Sequence, residues 1–310
     1  MTQRALVTGS GGFVGRHVIA ALTSRGFDVA TVGPGERGGA HYRLDDVADS
    51  VGLEAVVRRV RPHRIFHLAG ISRSATVAEF YRVNTVFAAA LLDAVERSVK
   101  DEAAIVLMGS AAEYGRVMAD DLPLDEHVVA CPDSHYGISK HAQTMLGLAA
   151  ARRGLRVVVA RGFNILGSGL PTHLALADFA QQIARIEAGQ RMPPLMVGNL
   201  NSLRDFVSVH DVAAALVELT ETEQSFGKVV DLCSGQPTRM LDLLHLLIEV
   251  SGCDIPVKVD PARYMAMDIP VSYGSGTLLK TLTGRRLTLN APAICAEILA
   301  DARQAIRAGK

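Results

Sequence analysis

The sequence predicts an α/β protein: a doubly wound parallel sheet followed by a smaller α/β lobe. Three observations predict it. Apolar runs of β type alternate with helical apolar stripes from residue 1 to about 160, the pattern of a parallel sheet with helices on both faces. A glycine-rich turn joins the first run to the first stripe. Beyond Phe163 the alternation loosens into loops and shorter segments.

Ala5-Leu6-Val7 is the first strand, and Thr8-Gly9-Ser10-Gly11-Gly12-Phe13-Val14-Gly15 follows it directly. Val14, Val18, Ala21 and Leu22 then recur at helical spacing. Strand, glycine turn and helix form the context of a Rossmann-type dinucleotide site. Gly9 suits the tight turn, Gly12 the approach of backbone to a pyrophosphate, and Gly15 close packing of helix on strand, with the helix amides aimed at phosphate. The spacing is G-x-x-G-x-x-G rather than G-x-G-x-x-G, and alone it also fits a plain tight turn. Asp28–Gly33 is the second strand. NAD-binding folds usually end this strand on an acid that accepts from the ribose 2′-OH. Here Gly33-Pro34-Gly35 stands there, with Arg16 and Arg37 nearby in sequence. Arginine without the acid suits a 2′-phosphate, so NADP(H) is favoured and NAD(H) is the alternative. The same arginines also fit a solvated surface.

Asp45-Asp46-Val47 precedes a helix carrying Leu53, Val56, Val57 and Val60. Arg64-Ile65-Phe66-His67-Leu68-Ala69-Gly70 is a buried strand whose small terminal residues leave room for a flat cofactor. His67 inside it reads as a packed strand histidine. One long helix spans Val77 to Val99, with Phe80, Asn84, Phe87, Leu91 and Val95 along one stripe. Asn84, polar on that stripe, bonds either backbone or an active-site group. Ala103–Met108 is a strand ending in Gly109-Ser110, followed by a loop with Glu113-Tyr114-Gly115. Ser134 opens a helix that carries Tyr136 and Lys140 and runs through Leu148; Arg156–Ala160 is the next strand.

In the second half, Asn164–Gly169 reads as loop, Leu174–Ala188 as helix and Arg191–Pro194 as loop. Arg204–Val209 is a strand feeding a helix from Asp211, Val229–Leu232 a strand, Leu241–Val250 a helix, Val257–Val259 a strand and Ala293–Ile306 the last helix. The division expected is residues 1–163 as the NADP(H)-binding domain, with about 206–230 returning to it. Residues 164–205 and 231–310 form the substrate lobe.

At 310 residues the chain can bury a large core, as one big domain or two joined ones. Lys+Arg and Asp+Glu both number 32, so the net charge is zero. Nothing electrostatic points to nucleic acid or an anionic membrane. No apolar run approaches the roughly 18 residues of a membrane span, and the N-terminus has no apolar stretch of the signal-peptide kind. Cys131, Cys233, Cys253 and Cys295 are scattered without a C-x-x-C pair. They fit reduced thiols of a cytoplasmic protein, and no metal site is expected.

Tyr136 and Lys140, four apart, share a helix face. A lysine ammonium beside a phenol lowers its pKa toward neutrality, which makes Tyr136 a workable acid or base at a carbonyl or carbinol. Ser110, at a strand's C-terminal end, reaches the same oxygen. A lone Y-x-x-x-K is common as a helix-surface pair; a glycine loop, a strand-end serine and that pair in this order coincide far less often.

With these pieces the chain resembles the extended short-chain dehydrogenase/reductases of nucleotide sugars, the NAD-dependent epimerase/dehydratase group. The likeness runs over the TGSGGFVG loop, HLAG ending at Gly70, GSAAEYG from Gly109, YGISK from Tyr136 and RDFVSVHDV from Arg204. RGFNILGSG from Arg161, DFAQQIARIEAG from Asp178, VGNLNSLRDF from Val197, LCSGQPTRM from Leu232 and DPAR from Asp260 make it most similar to GDP-4-keto-6-deoxy-D-mannose reductases.

The resemblance implies hydride transfer from NADPH to C4 of a nucleotide-linked 4-keto-6-deoxy sugar. Tyr136 would protonate the oxygen, Lys140 would hold the nicotinamide ribose, and Ser110 would polarise the carbonyl. It implies cofactor contacts by Gly9, Gly12, Phe13, Val14, Gly15, Arg37, Asp46, Val47, Leu68, Ala69, Gly70 and Asn84, besides Tyr136 and Lys140. It implies substrate contacts by Ser72, Ser110, Asn164, Val197, Arg204 and Arg263, and a homodimer. Arg204 also has a physical case, because guanidinium binds phosphate as a planar fork; a structural pair with Asp205 or Asp211 is the alternative. Nucleotide-sugar 4,6-dehydratases are argued against. Their acid stands two residues before the loop tyrosine, where this chain has Ala112, after Ala111, with Glu113 one residue later. Alanine moves no proton, and Glu113 reads as a loop carboxylate. The substrate lobe departs from the reductase pattern at Ile165–Gly169, at Met265 and at Thr283-Gly284-Arg285. An epimerase with tightly held NAD and a non-catalytic dinucleotide-binding regulator are the competing readings.

Overall fold

The structure, a computed structural model, describes residues 2–35, 39–100, 102–263 and 269–309. Arg37 and Met265 lie outside these residues. The first half supplies β1 (Arg4–Thr8), α1 (Phe13–Ser24), β2 (Asp28–Gly33), β3 (His41–Arg43), α2 (Ser50–Val60), β4 (Arg64–His67), α3 (Val77–Tyr81), α4 (Phe87–Ser98), β5 (Ala104–Ser110), α5 (His135–Arg152) and β6 (Arg156–Gly162). The second supplies β7 (Asn164–Leu166), α6 (Ala175–Glu187), β8 (Leu195–Val197), β9 (Leu203–Ser208), α7 (Val209–Glu221), β10 (Val229–Leu232), β11 (Pro237–Arg239), α8 (Met240–Ser251), β12 (Val257–Val259), β13 (Val271–Ser272), α9 (Thr277–Thr283) and α10 (Ala291–Arg307).

The main sheet has seven strands in the order β3-β2-β1-β4-β5-β6-β10. All its pairings are parallel. The chain therefore winds outward from β1 in one direction, then from β4 in the other. This doubly wound order leaves a crevice outside the carboxyl ends of β1 and β4. The strands are apolar on both faces, as parallel burial requires. Leu6, Ile65, Ile105 and Val157 face the core with α2, α4 and α5. Ala5, Val7, Phe66 and Val106 face the core with α1, α7 and α9.

A second core joins α6, α8 and α10 to β8 and β9 through Phe179, Ile183, Leu195, Phe206, Leu244 and Ile298. β9 pairs with β11, β13 and β7, and β8 with β12. β9 itself stands outside the main sheet, while α7 packs on α1, and β10 forms the edge beside β6.

The predicted helix 77–99 is real but not uniform. A π-helical turn, Arg82–Val86, separates α3 from α4. A widened turn sets one side chain off the regular ladder, and here that side chain is the fully buried Asn84. Asn164–Leu166, predicted as loop, is a short strand carried by β9. β3, β8, β11, β13 and α9 escape a periodicity reading because segments of two to seven residues are too short to show a period.

Candidate active site

The glycine turn is fixed by backbone geometry. Gly9 has φ +68°, and its carbonyl accepts from Gly12 N–H at 2.9 Å. A Cβ at Gly9 would stand 2.5 Å from Ala69 N, so only glycine lets β1 run out against the end of β4. A Cβ at Gly15 would strike the Gly9 carbonyl. Asp49, Ser134 and Asn290 cap α2, α5 and α10 through side-chain oxygens. α1 starts at Gly12 with no side-chain cap, which leaves its first amides to face the crevice. A Cβ at Gly33 would meet open space, so the end of β2 has room for a ribose. These are the features a dinucleotide needs, and they fit one.

The other implied cofactor residues fall around this turn. Phe13 packs into the second core, and Val14 into the α1–α7 core. Val47 and Ala69 border the α2–α4–α5 core, and Leu68 the opposite one. Asp46 accepts from Ala48 N–H and from the Arg82 guanidinium, both at 2.8 Å; these bonds hold its carboxyl below the usual range. Gly70 continues from Ala69, and a Cβ there would lie 3.5 Å from Lys140 Nζ. Asn84 spends its amide on protein. Its Oδ1 accepts from Ile71 N–H (2.8 Å), and its Nδ2 donates to Ile71 O (3.0 Å) and Ser139 Oγ (2.9 Å). These bonds clamp the loop after β4 to the start of α5. Arg16 turns away from β2: a Cβ at Gly169 would stand 2.6 Å from its guanidinium carbon.

Tyr136, Ser110 and Lys140 converge at the carboxyl ends of β4 and β5. The Ser110 hydroxyl accepts from Ala112 N–H at 3.2 Å and stands beside the Tyr136 phenol. The expected Lys140 effect on Tyr136 does not hold. Burial raises the phenol's pKa, the Ser110 hydroxyl opposes it, and the Glu113 charge adds to it. The Lys140 ammonium donates instead to Gln143 Oε1 at 2.8 Å. Burial pushes Lys140 down to about 8, against the Glu113 charge. His67 is fully buried. The Thr8 hydroxyl accepts from Ala69 N–H (3.2 Å) and hydrogen-bonds His67 Nδ1 (2.9 Å). The ring is neutral; burial, with the nearby Lys140 charge, lowers its pKa to about 3. It is a structural histidine, as its apolar strand suggests.

Glu113 is a loop carboxylate, on the turn after β5, and it is fully buried. Its Oε1 accepts from Ser110 N–H at 2.9 Å. Its Oε2 accepts from Thr144 Oγ1 at 2.7 Å and Arg161 Nη2 at 3.1 Å. Burial works against its charge, but these partners and His141 hold its pKa below the usual range. Arg161 lies over the Tyr114 ring, 4.5 Å from its centroid, and stands 3.8 Å from Asp231 Oδ1. Tyr114 O–H donates to Asp231 Oδ2. This buried network fixes the turn that carries Ser110. Sequence reading missed Gln143 and the role of Arg161. The available signal was a run of polar residues, Lys140, Gln143 and Thr144, on the buried side of one helix.

The implied substrate residues spread more widely. Ser110 pairs with Gly162 across β5 and β6, which brings Asn164 beside the site; its Nδ2 donates to Asp205 O at 2.9 Å. Asp205 accepts from Ser234, Gly235 and Gly274, so it anchors loops. Arg204, half-buried, donates to Leu203 O at 3.0 Å. Ser72 lies 3.4 Å from His173 Nε2. The Val197 side chain is fully buried in the second core. Arg263 is exposed and pairs with Asp178 at 2.7 Å. Of the departures from the reductase pattern, Arg285 is bound to Glu218 on α7.

A crevice at the switch point of a doubly wound sheet, floored by a glycine turn and walled by a serine, tyrosine and lysine, defines a dinucleotide-dependent oxidoreductase fold. A profile of the NAD dependent epimerase/dehydratase family matches residues 5–233, and the chain belongs to this family. It is 31% identical over 315 aligned residues to the GDP-6-deoxy-D-mannose reductase of Pseudomonas aeruginosa, covering 99% of both chains. The structure of RMD from Pseudomonas aeruginosa complexed with NADPH superposes with a TM-score of 0.84 at 28% identity, over 98% of each chain. A UDP-glucose 4-epimerase of Thermus thermophilus complexed with NAD gives a TM-score of 0.82 at 25% identity, covering 98% of this chain and 100% of that one.

Arg161→Met should cost about 3–5 kcal/mol of unfolding free energy in urea at neutral pH, because Glu113 and Asp231 are left buried without their cation. A loss under about 1 kcal/mol would contradict this account of the network.

Proposed function

We propose that this chain reduces the 4-keto group of a nucleotide-linked 4-keto-6-deoxy sugar, of the GDP-4-keto-6-deoxymannose type, with NADPH as reductant. The observation that carries the reading is the convergence of Tyr136 and Ser110 at the end of β5, with Lys140 beside Gly70. The substrate class is supported by full-length similarity to a GDP-6-deoxy-D-mannose reductase.

The bound dinucleotide supplies the hydride. The protein's residues do the rest. Ser110 O–H donates to the carbonyl oxygen and strengthens that bond as charge develops there. Tyr136, whose raised pKa keeps its proton on at neutral pH, gives that proton to the forming alkoxide. Lys140 sits where it meets the nicotinamide ribose and returns positive charge to the site as the phenol ionises. Arg204 and Asn164 are proposed to hold the sugar nucleotide. With Ala111 and Ala112 on the turn, and Glu113 bound on both oxygens, this turn offers no carboxylate for the elimination of a dehydratase.

NADPH is proposed over NADH because β2 ends on Gly33 and Pro34 without an acid, with Arg37 following. The second reading, an epimerase with tightly bound NAD, draws on the likeness to the Thermus thermophilus epimerase. Net cofactor turnover separates the two.

Given NADPH and GDP-4-keto-6-deoxymannose, the protein should oxidise NADPH one for one with product, followed at the nicotinamide absorbance. Tyr136→Phe should cut kcat by about 10²–10⁴-fold while NADPH binding, read by fluorescence, stays within about twofold. Wild-type-like turnover in that variant would overturn the assigned roles. Arg37→Ala should weaken NADPH by about tenfold or more and leave NADH nearly unchanged; equal loss of both would remove Arg37 from the 2′-phosphate.

A further inference from the structure

Lys140 is only 3% exposed, and a buried ammonium must place its hydrogens on acceptors. Gln143 takes one: Nζ lies 2.8 Å from its Oε1. Gln143 is itself fully buried, and its Nε2 donates to Met108 O in β5 at 3.0 Å. The amide therefore has one workable orientation. Turned over, it would set an N–H₂ against an ammonium and an oxygen against a carbonyl oxygen. β5 thus determines which atom faces Lys140.

Few charged or titratable groups surround the ammonium. β4 presents His67, neutral and hydrogen-bonded to Thr8. The turn after β5 presents Glu113, bound to Ser110 N–H, Thr144 and Arg161. α5 itself carries Tyr136, beside Ser110. The π-helical turn presents only the Asn84 amide, committed to Ile71 and Ser139.

We propose that Gln143 is a positioning residue for the reaction: its amide, locked by the Met108 carbonyl, fixes the Lys140 ammonium beside Gly70 and does so as a neutral acceptor. A carboxylate at the same place would accept from the ammonium and hold its proton, but would carry no N–H for the Met108 carbonyl. The neutral partner leaves burial unopposed at short range, which is why Lys140 titrates near 8 rather than in the usual lysine range. Charge at Lys140 then varies within the working pH range. The inference rests on the reductase reading for what Lys140 serves, though not for how it titrates.

The test reads Lys140 directly. The sequence has six lysines, so ¹³Cε-lysine labelling of the full chain gives a countable spectrum, and the signal lost in Lys140→Met is that of Lys140. Its pH midpoint is measured in the wild type, in the isosteric Gln143→Glu and in Gln143→Met, with thermal melting to confirm folding. The midpoint should rise by about one pH unit or more in Gln143→Glu and fall in Gln143→Met. The alkaline limb of kcat should move in the same directions. Either folded variant decides the matter: a wild-type midpoint there overturns the proposal, as does lost turnover with an unmoved midpoint. If the wild type fails to reduce keto sugars, the functional reading falls while the midpoints still judge Gln143.

Discussion

The absence of a Cβ at Gly9 is the constraint on which the site depends. A methyl there would stand 2.5 Å from the Ala69 nitrogen, so any other residue pushes β1 and β4 apart at their carboxyl ends. Their approach sets Gly70 beside Lys140, and Lys140 sits one turn along α5 from Tyr136. Tyr136 in turn meets Ser110 at the end of β5. Each step is a contact between backbone or short side chains, with little slack. The crevice of the doubly wound sheet is therefore narrow enough to hold a hydride donor and a keto sugar in register with a proton donor. Such alignment removes part of the entropic barrier to bringing donor and acceptor together.

The second feature is how the protein manages charge behind that crevice. Four ionisable groups, Glu113, Arg161, Asp231 and Lys140, are nearly or fully buried. Glu113 and Arg161 satisfy each other and pin the Ser110 turn. Lys140 is handled differently, by an amide rather than a counter-ion. One guanidinium, Arg161, stands between the Glu113 and Asp231 carboxyls, and the one charge placed at the reacting end is left titratable. The same burial keeps the Tyr136 phenol protonated, the state needed to complete a carbonyl reduction.

Much of this was legible in the sequence. Gly9, Gly12 and Gly15 after an apolar triplet announced the turn, because their spacing follows from backbone sterics alone. Tyr136 and Lys140 announced their shared helix face through the helical period. What stayed hidden depends on tertiary partners. Nothing local in Glu113 says that Arg161, 48 residues on, will bury it. Asn84 reads as polar on an apolar stripe, but its clamp on Ile71 and Ser139 needs the fold. Val197 looked like part of a sugar-binding motif and is interior because β8 pairs with β12. The supposed depression of Tyr136 by Lys140 failed because helical spacing fixes the shared face and not the direction of an ammonium.

The central claim is that hydride leaves the nicotinamide for good and ends on sugar C4. NADPH deuterated on the transferred face, incubated with the nucleotide-linked 4-keto-6-deoxy sugar, tests it by mass spectrometry and NMR of the product. The account predicts one deuterium per product molecule, located at C4, with an equivalent amount of NADP⁺. A keto sugar recovered unreduced with NADPH unconsumed, while a 4-hydroxy nucleotide sugar is inverted at C4 with no net change in cofactor, would contradict it and establish an epimerase on the same scaffold.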